Sequence, residues 1–260
     1  MTTTLEILRP SAHVAEVWLN RPDVRNAFND GVIAELSQAF TTLGADPELR
    51  AILLGGHGKA FCAGADLSWM RAMAGYSWAQ NHADANGLAQ MLWTVWSCPL
   101  PVVGRIHGDC YAGGVGLAAV CDVLVASDAT HFCLSEAKLG LLPATIGPYV
   151  VKALGEQAAR RYFLTAERFS ASQAQALGFV HEVVPADALD GKVGEIVAAL
   201  VANGPAAVKA CKQLVKDVAD REITPALRDD TARRIADIRA SPEGREGVQA
   251  FLNKRDPAWR

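Results

Sequence analysis

Two glycine-bearing turns and one glutamate carry the chemistry legible in this sequence. The first turn is Phe61-Cys62-Ala63-Gly64-Ala65-Asp66-Leu67 and the second is Tyr111-Ala112-Gly113-Gly114-Val115-Gly116. Gly64 permits a backbone conformation closed to other residues just where a helix is predicted to begin, and the second turn likewise leads into a predicted helix. The first amides of a helix have no acceptor within it, so those of Ala65 and Gly113 are predicted to point outward as free donors. Two such amides aimed at one point form an oxyanion hole able to stabilise an enolate such as that of a thioester. Removing one donor from such a hole costs about 3–4 kcal/mol. Glu136 follows the short apolar run Phe132-Cys133-Leu134 and has Leu139, Leu141 and Leu142 close by in sequence. A carboxyl in such surroundings is expected to titrate high, which suits reversible proton transfer near neutrality.

Each feature also has a plainer explanation. The glycines serve close packing at a helix start, and Glu136 pairs at the surface with Lys138 or an arginine. A sharper rival is the dinucleotide fingerprint, because Gly114-Val115-Gly116-Leu117-Ala118-Ala119 fits G-x-G-x-x-G/A, with Glu136 where its acidic residue belongs. The predicted helix is too short for that motif's crossover and no βαβ unit frames it. No H-E-x-x-H, G-x-S-x-G or His/Cys cluster with ligand spacing occurs, so neither a metal nor a serine-hydrolase elbow is expected.

These residues need a scaffold, and the first ~150 residues alternate strands with helices. Strands are predicted at Val14–Leu19, Ala51–Leu54, Val102–Ile106, Val123–Ala126 and His131–Leu134. Helices are predicted from an Asn29 cap to about Leu43, from about Ala65, over Trp78–Ser97 and over Gly113–Val120. Beyond Pro148 nearly everything is predicted helical: Tyr149–Leu154, Glu156–Thr165, Ala171–Leu177, Ala206–Asp220, Pro225–Ala240 and Pro242–Lys254. The strands are near-continuous apolar runs, as in sheets buried on both faces. The fold expected is therefore an α/β core followed by a helical C-terminal region.

The chain has 260 residues, half of them hydrophobic, and a formal net charge of −3. That balance gives no electrostatic reason to expect nucleic acid or an anionic membrane as partner. The six cysteines form no CxxC pair and most lie in apolar strings, so buried free thiols are expected. No basic-then-apolar leader opens the sequence, and charged residues interrupt the apolar stretch 101–126. The cytoplasm is the expected location.

In order along the chain, these segments resemble the crotonase (enoyl-CoA hydratase/isomerase) family. The likeness rests on Leu19-Asn20-Arg21-Pro22 with Arg25-Asn26-Ala27-Phe28, on Phe61 to Leu67, on His107-Gly108 through Cys121-Asp122, and on Phe132 to Pro143. It continues through Ala176-Leu177-Gly178-Phe179-Val180 to Phe251-Leu252-Asn253-Lys254-Arg255. The resemblance implies a spiral of ββα units over residues 1–200, holding the CoA and acyl pocket. Residues 201–260 would form a helical trimerisation region, giving a homotrimer or dimer of trimers. It implies an acyl-CoA thioester as substrate, no separate cofactor, Ala65 and Gly113 as oxyanion donors, and Glu136 as acid/base. Val24, Arg25, Ala63, Ala65, Asp66, Leu67 and Ser68 would contact CoA and its pantetheine arm, with Gly113 also at the thioester. Phe251 and Lys254 would reach the CoA phosphates of a neighbouring subunit, and Trp69 and Met70 would lie near the acyl chain.

One departure stands out. Hydratases of the best-known type in this family use two glutamates, and the first falls here on Gly116. A single carboxylate suits an isomerase, since one base can take a proton from C2 and return it at C4. Yet Gly113 to Leu117 together with Leu142 to Val151 is similar to bacterial hydratases of methylglutaconyl-CoA type. The expected activity is thus hydration of a branched or glutaconyl-type 2-enoyl-CoA, with a Δ3-Δ2 enoyl-CoA isomerase and a non-catalytic acyl-CoA-binding protein as alternatives. The distal carboxylate of such a substrate would help to position water in the room left by Gly116, with Arg71, His82 or Arg105 as counter-charges.

Overall fold

The computed structural model describes residues 4–260. The hairpin β1 (Leu5–Ser11) and β2 (Val14–Leu19) opens the chain, followed by α1 (Asp30–Gly44) and β3 (Ala51–Gly56). Asn29 caps α1 by accepting the Val32 amide at 2.9 Å. Next come α2 (Leu67–Met73), α3 (Trp78–Ser97), β4 (Val102–Ile106), β5 (Asp109–Tyr111) and α4 (Gly113–Ala119). They are followed by β6 (Val123–Ser127), β7 (His131–Cys133), α5 (Gly147–Leu154), α6 (Glu156–Thr165), β8 (Arg168–Ser170), α7 (Ala171–Ala176) and β9 (Glu182–Val184). Four helices close the chain: α8 (Leu189–Ala202), α9 (Pro205–Val218), α10 (Pro225–Ala240) and α11 (Pro242–Leu252).

The larger sheet has the order β1-β2-β3-β4-β6-β9, parallel throughout except for the opening hairpin. A smaller sheet is ordered β5-β7-β8. A parallel bridge between Cys62 and Cys110 brings the segment after β3 beside β5. Successive units therefore give one strand to the large sheet, the next to the small one, and then helices. This is the spiral of ββα units that the resemblance implies.

Strand β3 is buried along its whole length, which explains its unbroken apolar run. Ile52 and Leu54 face the main core with Leu36 and Phe40 of α1 and Leu92 and Val95 of α3. Leu53, with Val103 and Val125, faces the other way onto Leu189 and Val193 of α8. That second layer was not anticipated from sequence, because Gly191 and Gly194 weaken the helical pattern of α8. The C-terminal helices are tied to this body by Lys212 of α9, which pairs with Asp122 at 2.5 Å and donates to Leu100 O at 2.8 Å. Arg50 donates to Trp259 O at 2.7 Å. Among the described residues no single helix is long and apolar enough to cross a membrane.

All six cysteines are free. Four are buried and Cys121 is partly so; Cys211, on α9, is exposed, contrary to the expectation of burial.

Candidate active site

The two free amides arise differently from expected at the first turn. Helix α2 begins at Leu67, with Asp66 as its cap, so Ala65 lies before the helix. Ala65 instead sits in a parallel bridge with Phe28. The Phe28 amide donates to Gly64 O at 2.7 Å and Phe28 O accepts the Asp66 amide at 2.7 Å. Along an extended chain successive amides alternate in direction, so the Ala65 amide is turned away from Phe28. Among the described residues it donates no hydrogen bond. At the second turn Gly113 is the first residue of α4, where an amide has no acceptor within the helix. Ala112 directs it by adopting φ 47° and ψ −117°, a backbone conformation that costs on the order of 1–3 kcal/mol for a residue with a side chain.

The turns lock together. The Tyr111 amide donates to Cys62 O at 2.9 Å and the Cys62 amide to Asp109 O at 3.2 Å. A Cβ on Gly64, whose φ is +92°, would lie 3.0 Å from Ala112 Cβ, and one on Gly113 would lie 2.9 Å from Phe28 Cδ2. Gly64 is thus required both for its conformation and for close approach, and Gly113 for close approach. The two free amides are thus set by backbone held on both sides of one seam.

Glu136 begins a 3₁₀ turn, Glu136–Leu139, three residues beyond the end of β7, and Gly140 ends that turn in the left-handed region. The carboxyl is half-buried, and its Oε2 is inaccessible and without a hydrogen-bond partner. No ion pair with Lys138 or an arginine forms among the described residues, which removes the surface-pair explanation. Burial raises the Glu136 pKa above the ordinary carboxylate range. Glu136, Ala65 and Gly113 all line one cleft of about 650 Å³. Its other walls are mainly apolar, with Phe28, Trp69, Met70, Leu88 and Leu142 among them. A mainly apolar cleft with a few polar groups is the usual form of a small-molecule site.

The sequence-predicted binding residues divide into two groups. Ala63, Ala65, Leu67 and Gly113 line the cleft. Val24 and Arg25 lie on a 3₁₀ turn whose Arg25 carbonyl accepts the Ala63 amide at 3.0 Å, placing them at the outer side of the same segment. The Arg25 guanidinium is held by Asp109 at 3.0 Å. The Asp66 carboxylate is already committed. It caps α2, accepts from the Ser68 hydroxyl, and pairs with Arg21 at 2.7 Å. The Ser68 hydroxyl, then Arg21, hold its pKa down at about 2. Asp66 and Ser68 can therefore offer a ligand little but backbone. Phe251 lies in the last turn of α11 and Lys254 two residues beyond its end, both outside the cleft lining, with Phe251 82% exposed.

The room expected beside Gly116 does not exist. Ile146 fills it, and Gly116 is buried against that side chain. Gly114 likewise packs on Cys62 O, so these glycines serve close packing rather than phosphate binding. Arg71, His82 and Arg105 do not line the cleft. His82 stacks on Trp78 at 5.0 Å, and Arg105 pairs with Asp190 beneath α8 at 2.5 Å. Sequence reasoning missed Asn81 and Asp84, which reach the cleft from α3. The signal was present, because residues 81, 84, 85 and 88 share one helical face. His107 and His131 bond backbone oxygens and neither bonds Ser135, so no serine–histidine pair forms.

Comparison with known proteins agrees with this architecture. The family described as enoyl-CoA hydratase/isomerase matches residues 9–260. An enoyl-CoA hydratase structure from Shewanella pealeana superposes with TM-score 0.94 at 40% identity, covering 98% of this chain and 96% of that one. The mevalonyl-coenzyme A hydratase of Aspergillus fumigatus is 33% identical over 96% of this chain and 93% of its own length. The 2,3-dehydroadipyl-CoA hydratase of Escherichia coli is 29% identical over 98% of each. The chain belongs to the enoyl-CoA hydratase/isomerase family and is an enzyme of the crotonase fold.

Proposed function

We propose that the protein adds water across the double bond of a 2-enoyl-CoA thioester carrying a compact, branched acyl group. The observation that carries this reading is the buried, unpartnered Glu136 oxygen in a cleft shared with two free amides. The thioester oxygen takes the Ala65 and Gly113 amides, which stabilise the charge that develops there. Glu136 accepts a proton from water as the hydroxyl adds to C3, leaving an enolate. It then returns that proton to C2, so that water is added overall and the carboxylate is regenerated. Val24, Arg25, Ala63, Leu67 and the backbone of Asp66 and Ser68 hold the CoA arm.

Of the two acyl classes expected from the sequence, the branched neutral one suits the lining better. No lysine, arginine or histidine lines the cleft among the described residues, and the walls are largely apolar. Assembly as a trimer or dimer of trimers is supported by apolar side chains exposed toward the C-terminus, including Val215, Ile223, Val248 and Leu252. In that assembly Phe251 and Lys254 meet the CoA of a neighbouring subunit.

The test follows the absorbance of the conjugated enoyl thioester with crotonyl-CoA, 3-methylcrotonyl-CoA and a 3-enoyl-CoA, using wild type and Glu136→Gln. Loss of absorbance with a 2-enoyl substrate, absent in the variant, supports hydration. A gain seen only with the 3-enoyl-CoA makes the enzyme an isomerase and overturns the proposal.

A further inference from the structure

The cleft contains a second carboxyl that the reaction above does not use. Asp84 lies on α3, a different element from those that carry Ala65, Gly113 and Glu136. Trp69, itself in the cleft wall, donates its indole N–H to Asp84 Oδ1 at 3.1 Å. That bond fixes the carboxyl's place. Oδ2 accepts no hydrogen bond, and Asp84 has no ion-pair partner among the described residues. A carboxylate without a cation, in a cleft lined by no lysine, arginine or histidine among the described residues, repels any second anion brought into it.

We propose that Asp84, positioned by Trp69, is a specificity-determining residue that selects neutral acyl chains and rejects those ending in a carboxylate. The inference rests on the cleft being the acyl site of the proposed hydratase, and it names the class of acyl group admitted there. An acyl chain that is apolar, or that ends in a hydroxyl, meets the Asp84 wall without charge conflict. A hydroxyl can donate to the free Oδ2. A terminal carboxylate entering the same space faces an uncompensated like charge in a partly desolvated setting.

Equilibrium binding of saturated analogues tests this apart from the chemistry. Isovaleryl-CoA and 3-methylglutaryl-CoA share the branched carbon and differ in the terminal carboxylate. Titration calorimetry compares them on wild type and on Asp84→Asn, an isostere that can still accept the Trp69 bond. Wild type is expected to bind isovaleryl-CoA about tenfold or more tightly than the dicarboxylyl analogue. Asp84→Asn is expected to tighten 3-methylglutaryl-CoA by a similar factor while changing isovaleryl-CoA by less than about threefold. Equal binding of both analogues to wild type, or an unchanged ratio in Asp84→Asn, overturns the assignment. Binding that behaves as expected without turnover of any 2-enoyl-CoA would leave the selectivity intact and sink the hydratase reading alone.

Discussion

A Cβ built on Gly116 falls 2.1 Å from Cγ2 of Ile146 and 2.6 Å from its Cβ. The helix that would carry a second catalytic glutamate is therefore sealed by a side chain thirty positions along the sequence. The position of that first glutamate is thus closed, and in the proposed reaction water is positioned by Glu136 and the cleft walls. Gly116→Ala is expected to destabilise the protein by about 1–3 kcal/mol through overpacking. Ile146→Ala in the same chain should recover part of that loss, a non-additivity read by chemical denaturation of the two single variants and the double variant. Gly116→Glu should not gain activity; a rise in turnover would show that the space is open after all.

Glu136 is expected to trade stability for function. Its folded pKa is raised above the unfolded value, so the native state binds a proton more tightly than the unfolded chain. The contribution is favourable in acid and is lost as pH rises through the folded pKa. Glu136→Gln, which cannot ionise, should therefore have a higher Tm than wild type near pH 8, with the gap closing toward about pH 4.5. Turnover should fall by roughly 10²–10⁴-fold in the same variant, with acyl-CoA binding retained. The wild-type pH–rate profile should lose activity on the acid side, with an apparent pKa above the ordinary glutamate range.

Asp66 should show the opposite pH behaviour. The Ser68 hydroxyl and Arg21 stabilise its ionised form and hold its pKa at about 2. Its contribution is thus complete above the unfolded pKa and fades as pH falls toward about 2. Asp66→Ala removes both a helix cap and the partner of the largely buried Arg21. A loss of about 1–3 kcal/mol at neutral pH is expected by denaturant titration, shrinking in acid.

Gly64→Ala tests the oxyanion arrangement without touching Glu136. The new methyl would press on Ala112 at 3.0 Å and force an unfavourable φ, displacing the Ala65 amide or the Ala112–Gly113 turn. Steady-state kinetics should show kcat reduced by about 10²–10³-fold. A normal kcat would mean that these amides do not hold the thioester oxygen.

Much of the architecture was legible because local signals agreed. Trp78–Ser97 and Val102–Ile106 have the predicted boundaries, with the Ser77 capping box at one end of the helix and Pro99 and Pro101 after the other. The two glycine turns and Glu136 are visible in the sequence as candidates, and the fold brings them to one cleft. Three things were not legible. Strands β8 and β9 are three residues each and exist only through their neighbours in the sheets. The free Ala65 amide comes from a bridge to Phe28, a long-range pairing, where sequence pointed to a helix start. The filling of the Gly116 space by Ile146 and the arrival of Asp84 in the cleft depend on how α3, α4 and α5 pack, which no local pattern encodes.

In the proposed reaction Glu136 alone carries water onto a 2-enoyl thioester. Turnover of 3-methylcrotonyl-CoA and crotonyl-CoA in ¹⁸O-labelled water, followed by mass spectrometry of the acyl product, tests it most directly. Wild type should yield a 3-hydroxyacyl thioester bearing the label at C3, and Glu136→Gln essentially none. An isomer of unchanged mass from wild type, or labelled product formed as fast by Glu136→Gln, would contradict the account.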